Sequence, residues 1–455
     1  MRLRGEMSHN PQIIPYKHQE ETAKFLLQNK HAYVFNDIGT GKTISCLLAC
    51  DSLFEANKIT KVLVISPLST MQSVWRKEIA RFLIWPTVAI AHGSAAKRLA
   101  AIRSGAHFIL INPDGVTSSE SYLKAAKFDV IIIDEVTVYK NSQAKRSKAM
   151  QRISATSVAV WALSGNPTPN SHVEAFGVAK VTNPNNPFLP KYLTKFRQLV
   201  ETQIGPFITI PTPQADDIVF KVLQPAIRFT RDECIDLPEC QYEDITIPMD
   251  PEQLRAYKEM RDELLYEYES GEITSANAAV KFSKLLQIAS GAVKDDEGHV
   301  LHLPCKSRDD VLLNIFNETG RTKLIIFCAF RAGIEHVLEV FKKFRVAAIH
   351  GDVNQNRRSM IINDFTDGDL QVLVLQPQAA SHGLNLQNCN TIVWHSLIAS
   401  GELYEQCNGR IIRAGQTRRQ LIIHLISSKA EKRMLGILSR KAKLSEEILG
   451  LFTEI

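Results

Sequence analysis

The chain is 455 residues long, more than one hydrophobic core usually organises, which excludes a small stapled scaffold and favours two or three domains. A composition of 45% apolar and 22% charged residues excludes an intrinsically disordered chain. The formal net charge of +6 permits a polyanionic partner without demanding one.

Residues 1–12 are basic, but no apolar run follows them, so they do not read as a signal peptide. Beyond them, short β-branched runs alternate with helix-length patterns, the signature of parallel βα units. In the first half the runs fall at 61–67, 107–112, 128–135 and 158–166, and an apolar segment at 32–35 precedes a glycine-rich loop. In the second half they fall at 323–330, 346–351, 370–377, 391–396 and 421–427. Their nearly continuous apolar character requires sheets covered on both faces. An α/β protein with two parallel-sheet lobes follows, lobe one over 1–231 and lobe two over 232–455. Between 167 and 323 the strand rhythm lapses into helical patterns broken by proline. These predict helical protrusions at about 171–225 and about 251–300, and a basic helix closes the chain.

The eight cysteines contain no CxxC pair and no zinc spacing, and read as small core residues of a reducing compartment. Two long uncharged stretches, 153–173 and 370–401, are too broken by polar residues, Gly and Pro to span a bilayer. The expectation is a soluble cytoplasmic protein without a membrane partner. Basic side chains cluster twice. Lys140, Lys145, Arg146, Lys148 and Arg152 have no acidic neighbour between Val136 and Val173, and a second basic run covers 415–443. Either run fits a solvated helix face or a polyanion-binding surface.

Residues 36–43 read Asn-Asp-Ile-Gly-Thr-Gly-Lys-Thr, placed between an apolar run and a helical one. That is the order of a phosphate-binding loop, in which backbone N–H groups and a helix N-terminus cradle phosphate. Asp37, Gly39, Thr40 and Gly41 supply the cradle, Lys42 the charge facing the β and γ phosphates, and Thr43 a hydroxyl for Mg²⁺. Asn36 stands where the strict pattern has Gly. Asp134-Glu135 ends the most apolar run in the chain, where a carboxylate reaches such a loop. Asp134 suits a Mg²⁺ held through water, and Glu135 suits a base for an attacking water. ATP with Mg²⁺ is the expected ligand pair, with Thr43 and Asp134 at the metal.

These residues resemble the Swi/Snf-type translocases of helicase superfamily two. Pro15-Tyr16-Lys17-His18-Gln19 is similar to the family's adenine-reading motif, and Ile65-Ser66-Pro67-Leu68 with Trp75 and Glu78 to its motif Ia. Asp134-Glu135-Val136-Thr137 with Lys140-Asn141 resembles motif II, and 163–170 (LSGNPTPN) resembles motif III. In the second half, 324–330 resembles motif IV, 381–386 (SHGLNL) motif V, and 406–416 (QCNGRIIRAGQ) motif VI, the most specific match. Arg228-Phe229-Thr230-Arg231 before Leu237-Pro238 looks like the family's lobe junction.

The resemblance implies two RecA-like lobes, with the helical protrusions between motifs III and IV. It places Gln19 at adenine, Gly383 at the nucleotide, Gln406 in the catalytic set, and Arg410 and Arg413 as arginine fingers. Ser66, Lys140, Asn141 and Asn385 become candidates for the nucleic-acid track. Two departures stand out. Val136-Thr137 replaces Ala-His in motif II, which puts coupling through Thr137 and Ser164 in doubt, and Ile411-Ile412 separates the two arginines. The compact chain suggests a bacterial or bacteriophage source. The implied activity is a DNA-dependent ATPase that moves along DNA, duplex in preference to single-stranded, with RNA and a protein partner left open. The alternatives are a strand-separating or branch-remodelling helicase and, in another class, a nucleotide-gated DNA clamp or scaffold.

Overall fold

A run such as Val62–Ile65 or Leu324–Phe327 has no polar alternation, so it can be buried only where helices cover both faces of its sheet. The computed structural model describes residues 10–450 except 206–207, 235–239, 270–274, 296, 298, 381–385, 413–415 and 417, and it contains two such sheets. The chain divides into two compact units, residues 1–236 with 443–455, and residues 237–442.

The strands of the first unit are β1 (His31–Val34), β2 (Val62–Ile65), β3 (Val88–Ala91), β4 (Phe108–Ile111), β5 (Val130–Asp134), β6 (Ala159–Leu163), β7 (Glu201–Gly205), β8 (Ile208–Pro211) and β9 (Ala226–Ile227). Seven form one parallel sheet in the order β3-β4-β2-β5-β6-β1-β9. Successive side chains point to opposite faces. Tyr33, Leu63, Ile131, Ile133 and Val160 accordingly enter one core cluster, while Ala32, Val34, Val62, Ile132 and Trp161 enter another.

The segment 171–225 departs from the purely helical protrusion expected. Beside the helices Ala175–Thr182, Leu193–Val200 and Ala215–Val222 it holds the antiparallel hairpin β7–β8, and Phe176, Val178, Phe196 and Val219 belong to the sheet's own core.

The second unit holds β10 (Cys240–Thr246), β11 (Ala292–Lys294), β12 (Val300–His302), β13 (Leu324–Phe327), β14 (Val346–Ile349), β15 (Val372–Leu375), β16 (Thr391–Trp394) and β17 (Gln420–Ile426). Six are parallel in the order β10-β17-β16-β13-β15-β14, and β11 pairs antiparallel with β12. The same alternation sends Ile325, Phe327, Leu373 and Trp394 to one face and Leu324, Ile326, Val372 and Val393 to the other. The region 251–300 holds two helices, Pro251–Glu269 and Ser275–Ala289, from which Tyr257, Leu285, Leu286 and Ile288 enter the core of the second unit. All eight cysteines are free thiols, and no helix among the described residues is long and apolar enough to cross a membrane.

One buried ion pair ties the second unit together. Arg308, on the helix Lys306–Glu318, lies 2.8 Å from Glu431 on the final helix, Lys429–Gly450, and both side chains are almost wholly buried. The Arg308 guanidinium also donates to the His395 carbonyl beyond β16 and to Ser427 Oγ, and the second Glu431 oxygen accepts from Ser427 N and Ser428 Oγ. Removing one partner leaves an uncompensated charge in the interior, at a cost of about 3–5 kcal/mol. Arg308→Met should lower unfolding free energy by that order in urea titration, and Arg308→Met with Glu431→Leu should recover most of it. A single mutant as stable as the parent would show that the pair holds nothing.

Candidate functional site

The phosphate loop leaves β1 and enters the helix Lys42–Glu55. Two left-handed residues make that turn, Gly39 at φ 91° and Gly41 at φ 85°. A Cβ on Gly41 would fall 2.1 Å from Gln19 Nε2, so glycine is required by contact as well as by conformation. Thr43 takes the second position of the helix, beside Lys42. Asn36, the departure from the strict motif, is fully buried. Its Nδ2 donates to Thr22 Oγ1 at 3.0 Å and its Oδ1 accepts from Phe229 N at 3.0 Å. The side chain thus fastens the loop to the helix Lys17–Gln28 and to the strand end beyond β9, a task glycine could not perform.

Gln19 is buried against this loop. Its Oε1 accepts from Tyr16 N at 3.1 Å and its Nε2 donates to the Thr40 carbonyl at 3.1 Å, so the amide braces the loop in addition to any contact with a base. His18 Nε2 lies 2.7 Å from the same carbonyl and its ring stacks on Tyr16. A cleft of about 760 Å³ opens here, lined by Tyr16, Lys17, His18, Phe25, Arg228 and Phe229 among others.

Register aligns Val34 with Leu163 and Leu163 with Asp134, so the ends of β1, β6 and β5 lie side by side. This brings Lys42 into the field of Glu135, Asp134 and Asp37, all of which favour its charge. Burial outweighs them and pushes the Lys42 ammonium below its ordinary range. Its Nζ donates to the carbonyls of Asn36 at 2.7 Å and Asp37 at 3.1 Å. Asp134 is pushed upward by burial, and opposed by the indole of Trp75, which donates to Oδ2 at 2.8 Å, and by Lys42. Glu135 has φ 56° and ψ 60°, a left-handed conformation uncommon outside glycine and characteristic of strained functional positions. The hydroxyl and carboxylate oxygens of Thr43, Asp134 and Glu135 are the hard donor set that suits Mg²⁺.

Arg228 and Arg231, read from sequence as a lobe junction, fasten the loop from the other side. Arg231 N donates to Asp37 Oδ2 at 3.0 Å, Arg231 Nε to the Ile38 carbonyl at 3.3 Å, and Arg228 Nη2 lies 3.7 Å from Asp37 Oδ1. The residue signal for this was present in the two arginines, but spacing gives no hint of their partner. Ser164 bonds within its own loop, accepting from Asn166 N and donating to its carbonyl. That loop meets the phosphate loop where Gly165 faces Ile38.

The nucleic-acid candidates of the first unit differ in exposure. Ser66 is fully buried, and its hydroxyl has no hydrogen-bond partner among the described residues. Lys140 is paired with Glu174 at 2.9 Å, and the exposed Asn141 accepts from Gln143 N. On the helix Lys145–Ser154, Ser147, Ala149, Met150 and Ile153 are buried while Lys145, Arg146, Lys148 and Arg152 are exposed, Arg152 forming a bidentate pair with Glu120.

In the second unit Gln406 and Arg410 are both buried, on and just after the helix Gly401–Asn408. Gln416 Nε2 donates to the carbonyls of Gln387 and Cys389. Gly383, Asn385 and Arg413 lie outside the described residues.

A family model described as SNF2-related domain matches residues 18–296, and one described as helicase conserved C-terminal domain matches 307–415. Putative protein p41 of Acyrthosiphon pisum secondary endosymbiont phage 1 is 28% identical over 91% of this chain and 93% of its own length. An uncharacterized ATP-dependent helicase of Mycoplasma genitalium is 23% identical over 95% of this chain, which spans only 42% of that relative. Among solved structures, the Sulfolobus solfataricus SWI2/SNF2 ATPase core in complex with dsDNA covers 98% of this chain, and is covered to 95%, at 21% identity and a TM-score of 0.48. The first family model alone takes in more than half of the sequence, and the chain belongs to the SNF2-related family of ATP-dependent helicases.

Proposed function

We propose that the protein is an ATP- and Mg²⁺-dependent motor that moves along DNA, duplex in preference to single-stranded, and remodels DNA or protein–DNA structures. The observation that carries the reading is the convergence of Lys42, Asp134 and Glu135 beside a glycine loop at the ends of neighbouring parallel strands. Backbone N–H groups of 37–41 and the start of the helix Lys42–Glu55 receive the phosphates. Lys42 then exchanges its two loop carbonyls for phosphate oxygens, gaining a counter-charge for a desolvated ammonium. Thr43 and Asp134 would hold Mg²⁺, which when bound neutralises charge on the transferring phosphoryl. Glu135 is assigned the proton of the attacking water, and Gln406, Arg410 and Arg413 the stabilisation of the phosphoryl, with Gln19 and the cleft beside Tyr16 at the base.

Backbone contacts to DNA are charge-driven and carry no sequence information. The exposed Lys145, Arg146 and Lys148 fit that role better than Ser66 does. A protein partner is compatible with this reading, and the likeness to a bacteriophage protein supports a bacterial or infected-cell cytoplasm as the setting.

Three measurements test the reading. Lys42→Ala and Glu135→Gln should each lower steady-state ATP turnover at least about 100-fold, in line with removal of a transition-state charge or a general base, while Glu135→Gln still binds nucleotide by filter assay; full-rate turnover in either would sink the assignment. ATPase activity should rise with duplex DNA and climb further with duplex length. A plateau independent of length would favour the nucleotide-gated clamp, and preference for forks would favour the branch-remodelling helicase. Replacing Lys145, Arg146 and Lys148 together with Ala should raise the DNA concentration for half-maximal stimulation and flatten its salt dependence by about one unit of slope per lost phosphate contact.

A further inference from the structure

We infer that the second unit carries a binding site for a thiophilic divalent cation of the Zn²⁺ class, formed by Cys305, Asp309 and His336. Cys305 stands at the N-cap of the helix Lys306–Glu318, and Asp309 follows four residues later in its first turn, so thiol and carboxylate share one side of the helix. His336 arrives from the helix Arg331–Val340. Cys305 Sγ lies 3.2 Å from His336 Nε2, His336 Nε2 2.7 Å from Asp309 Oδ1, and Cys305 Sγ 3.9 Å from Asp309 Oδ1. Three ligand atoms of three chemical kinds thus converge on one point.

The geometry argues against a nucleophilic triad. In a triad the nucleophile and the orienting carboxylate sit on different ring nitrogens, so that one proton can be taken while the other holds the ring. Here both face Nε2, and one nitrogen cannot serve the two roles. A cation in place of the shared proton satisfies all three groups together. Bonds to zinc of about 2.3 Å for sulfur and about 2.0–2.2 Å for nitrogen and oxygen place tetrahedral ligand atoms about 3.3–3.7 Å apart. The present triangle needs its His–Asp edge to open by roughly 0.6–0.9 Å, its Cys–His edge to open slightly and its Cys–Asp edge to close slightly. Cys305 is 3% exposed, whereas the side chains of Asp309 and His336 are about one-fifth exposed, so one side of the triangle is open for water as a fourth ligand. Thiolate with imidazole selects zinc-like ions over Mg²⁺, which separates this site from the nucleotide chemistry.

The site also has a structural reach. Gly291, just beyond the helix Ser275–Ala289, is left-handed at φ 94°, and a Cβ there would fall 2.5 Å from Cys305 Sγ. A cation on Cys305 would pin the two ligand-bearing helices together beside Gly291, where the helix Ser275–Ala289 has just ended.

The full chain, stripped with a chelator, should be titrated with Zn²⁺ against a chromophoric competitor and with Co²⁺ followed by absorption. One equivalent should bind, Co²⁺ should give a tetrahedral visible band with a thiolate charge-transfer band, and Zn²⁺ should raise the thermal midpoint. Cys305→Ala and His336→Ala should abolish the bands and weaken Zn²⁺ at least about 100-fold, while Cys234→Ser, outside the cluster, should change neither. Asp309→Asn, nearly isosteric, reads the same affinity if the other variants fold poorly. Absence of stoichiometric binding, or binding indifferent to all three cluster substitutions, would overturn the site and leave a cluster joined by a shared proton only.

Discussion

Parallel strands can neighbour one another only through a crossover, so every loop that leaves the carboxyl end of a strand emerges on one edge of the sheet. In the first unit the middle of that edge belongs to β1, β6 and β5, aligned through Val34, Leu163 and Asp134. The glycine loop, the Ser164 loop and the Asp134-Glu135 corner are consequently neighbours, although they come from distant parts of the chain. Nothing in any one loop specifies this meeting; the both-face burial of the strands does. A slip of one residue in β5 would exchange Ile131 and Ile133 with Val130 and Ile132 between faces and carry Asp134 away from Lys42.

Within that frame lies the charge of the half-buried Lys42. Its burial disfavours the ammonium, three carboxylates favour it, and two loop carbonyls hold it in place. A loop held this way is organised before any phosphate arrives, the condition under which electrostatic stabilisation costs no reorganisation during the reaction. The holding is extended outward by Asn36 to Thr22 and Phe229, and by Asp37 to Arg228 and Arg231. The segment that follows β9 therefore closes the sheet and also locks the site.

Central strands were legible in the sequence because burial on both faces demands continuous apolar residues: β2, β4, β5 and β6 all lie inside the runs at 61–67, 107–112, 128–135 and 158–166. Edge strands were legible only in part. β14 lies inside the run at 346–351, whereas β3 is mostly half-buried, β9 is two residues, and β10 reads Cys-Gln-Tyr-Glu-Asp-Ile-Thr with most side chains exposed. The hairpin β7–β8 hides in a polar, proline-bearing stretch whose pairing depends on non-local contact. At the site, Lys42, Asp134 and Glu135 were legible because local motifs carry them. The bracing by Trp75, Arg228 and Arg231 was not, since it joins residues far apart in sequence, and the burial of Ser66 follows from packing that no motif records. The cysteine spacing likewise concealed Cys305, whose neighbours Asp309 and His336 are brought in by two helices.

The second unit meets a different requirement. Gln406 and Arg410 lie buried on and just after the helix Gly401–Asn408, and the interior of the unit fixes that helix in place. Trp394, at the end of β16, donates from Nε1 to Asn408 Oδ1 at 2.9 Å and so fixes the end of the helix Gly401–Asn408 to the sheet. One residue further along, the His395 carbonyl is held by Arg308, which the pair with Glu431 joins to the final helix. Asp309, next to Arg308, reaches His336 on the following helix. A single turn of the helix Lys306–Glu318 thereby connects the strand that carries the motif VI helix, the chain's last helix and the Cys305 cluster.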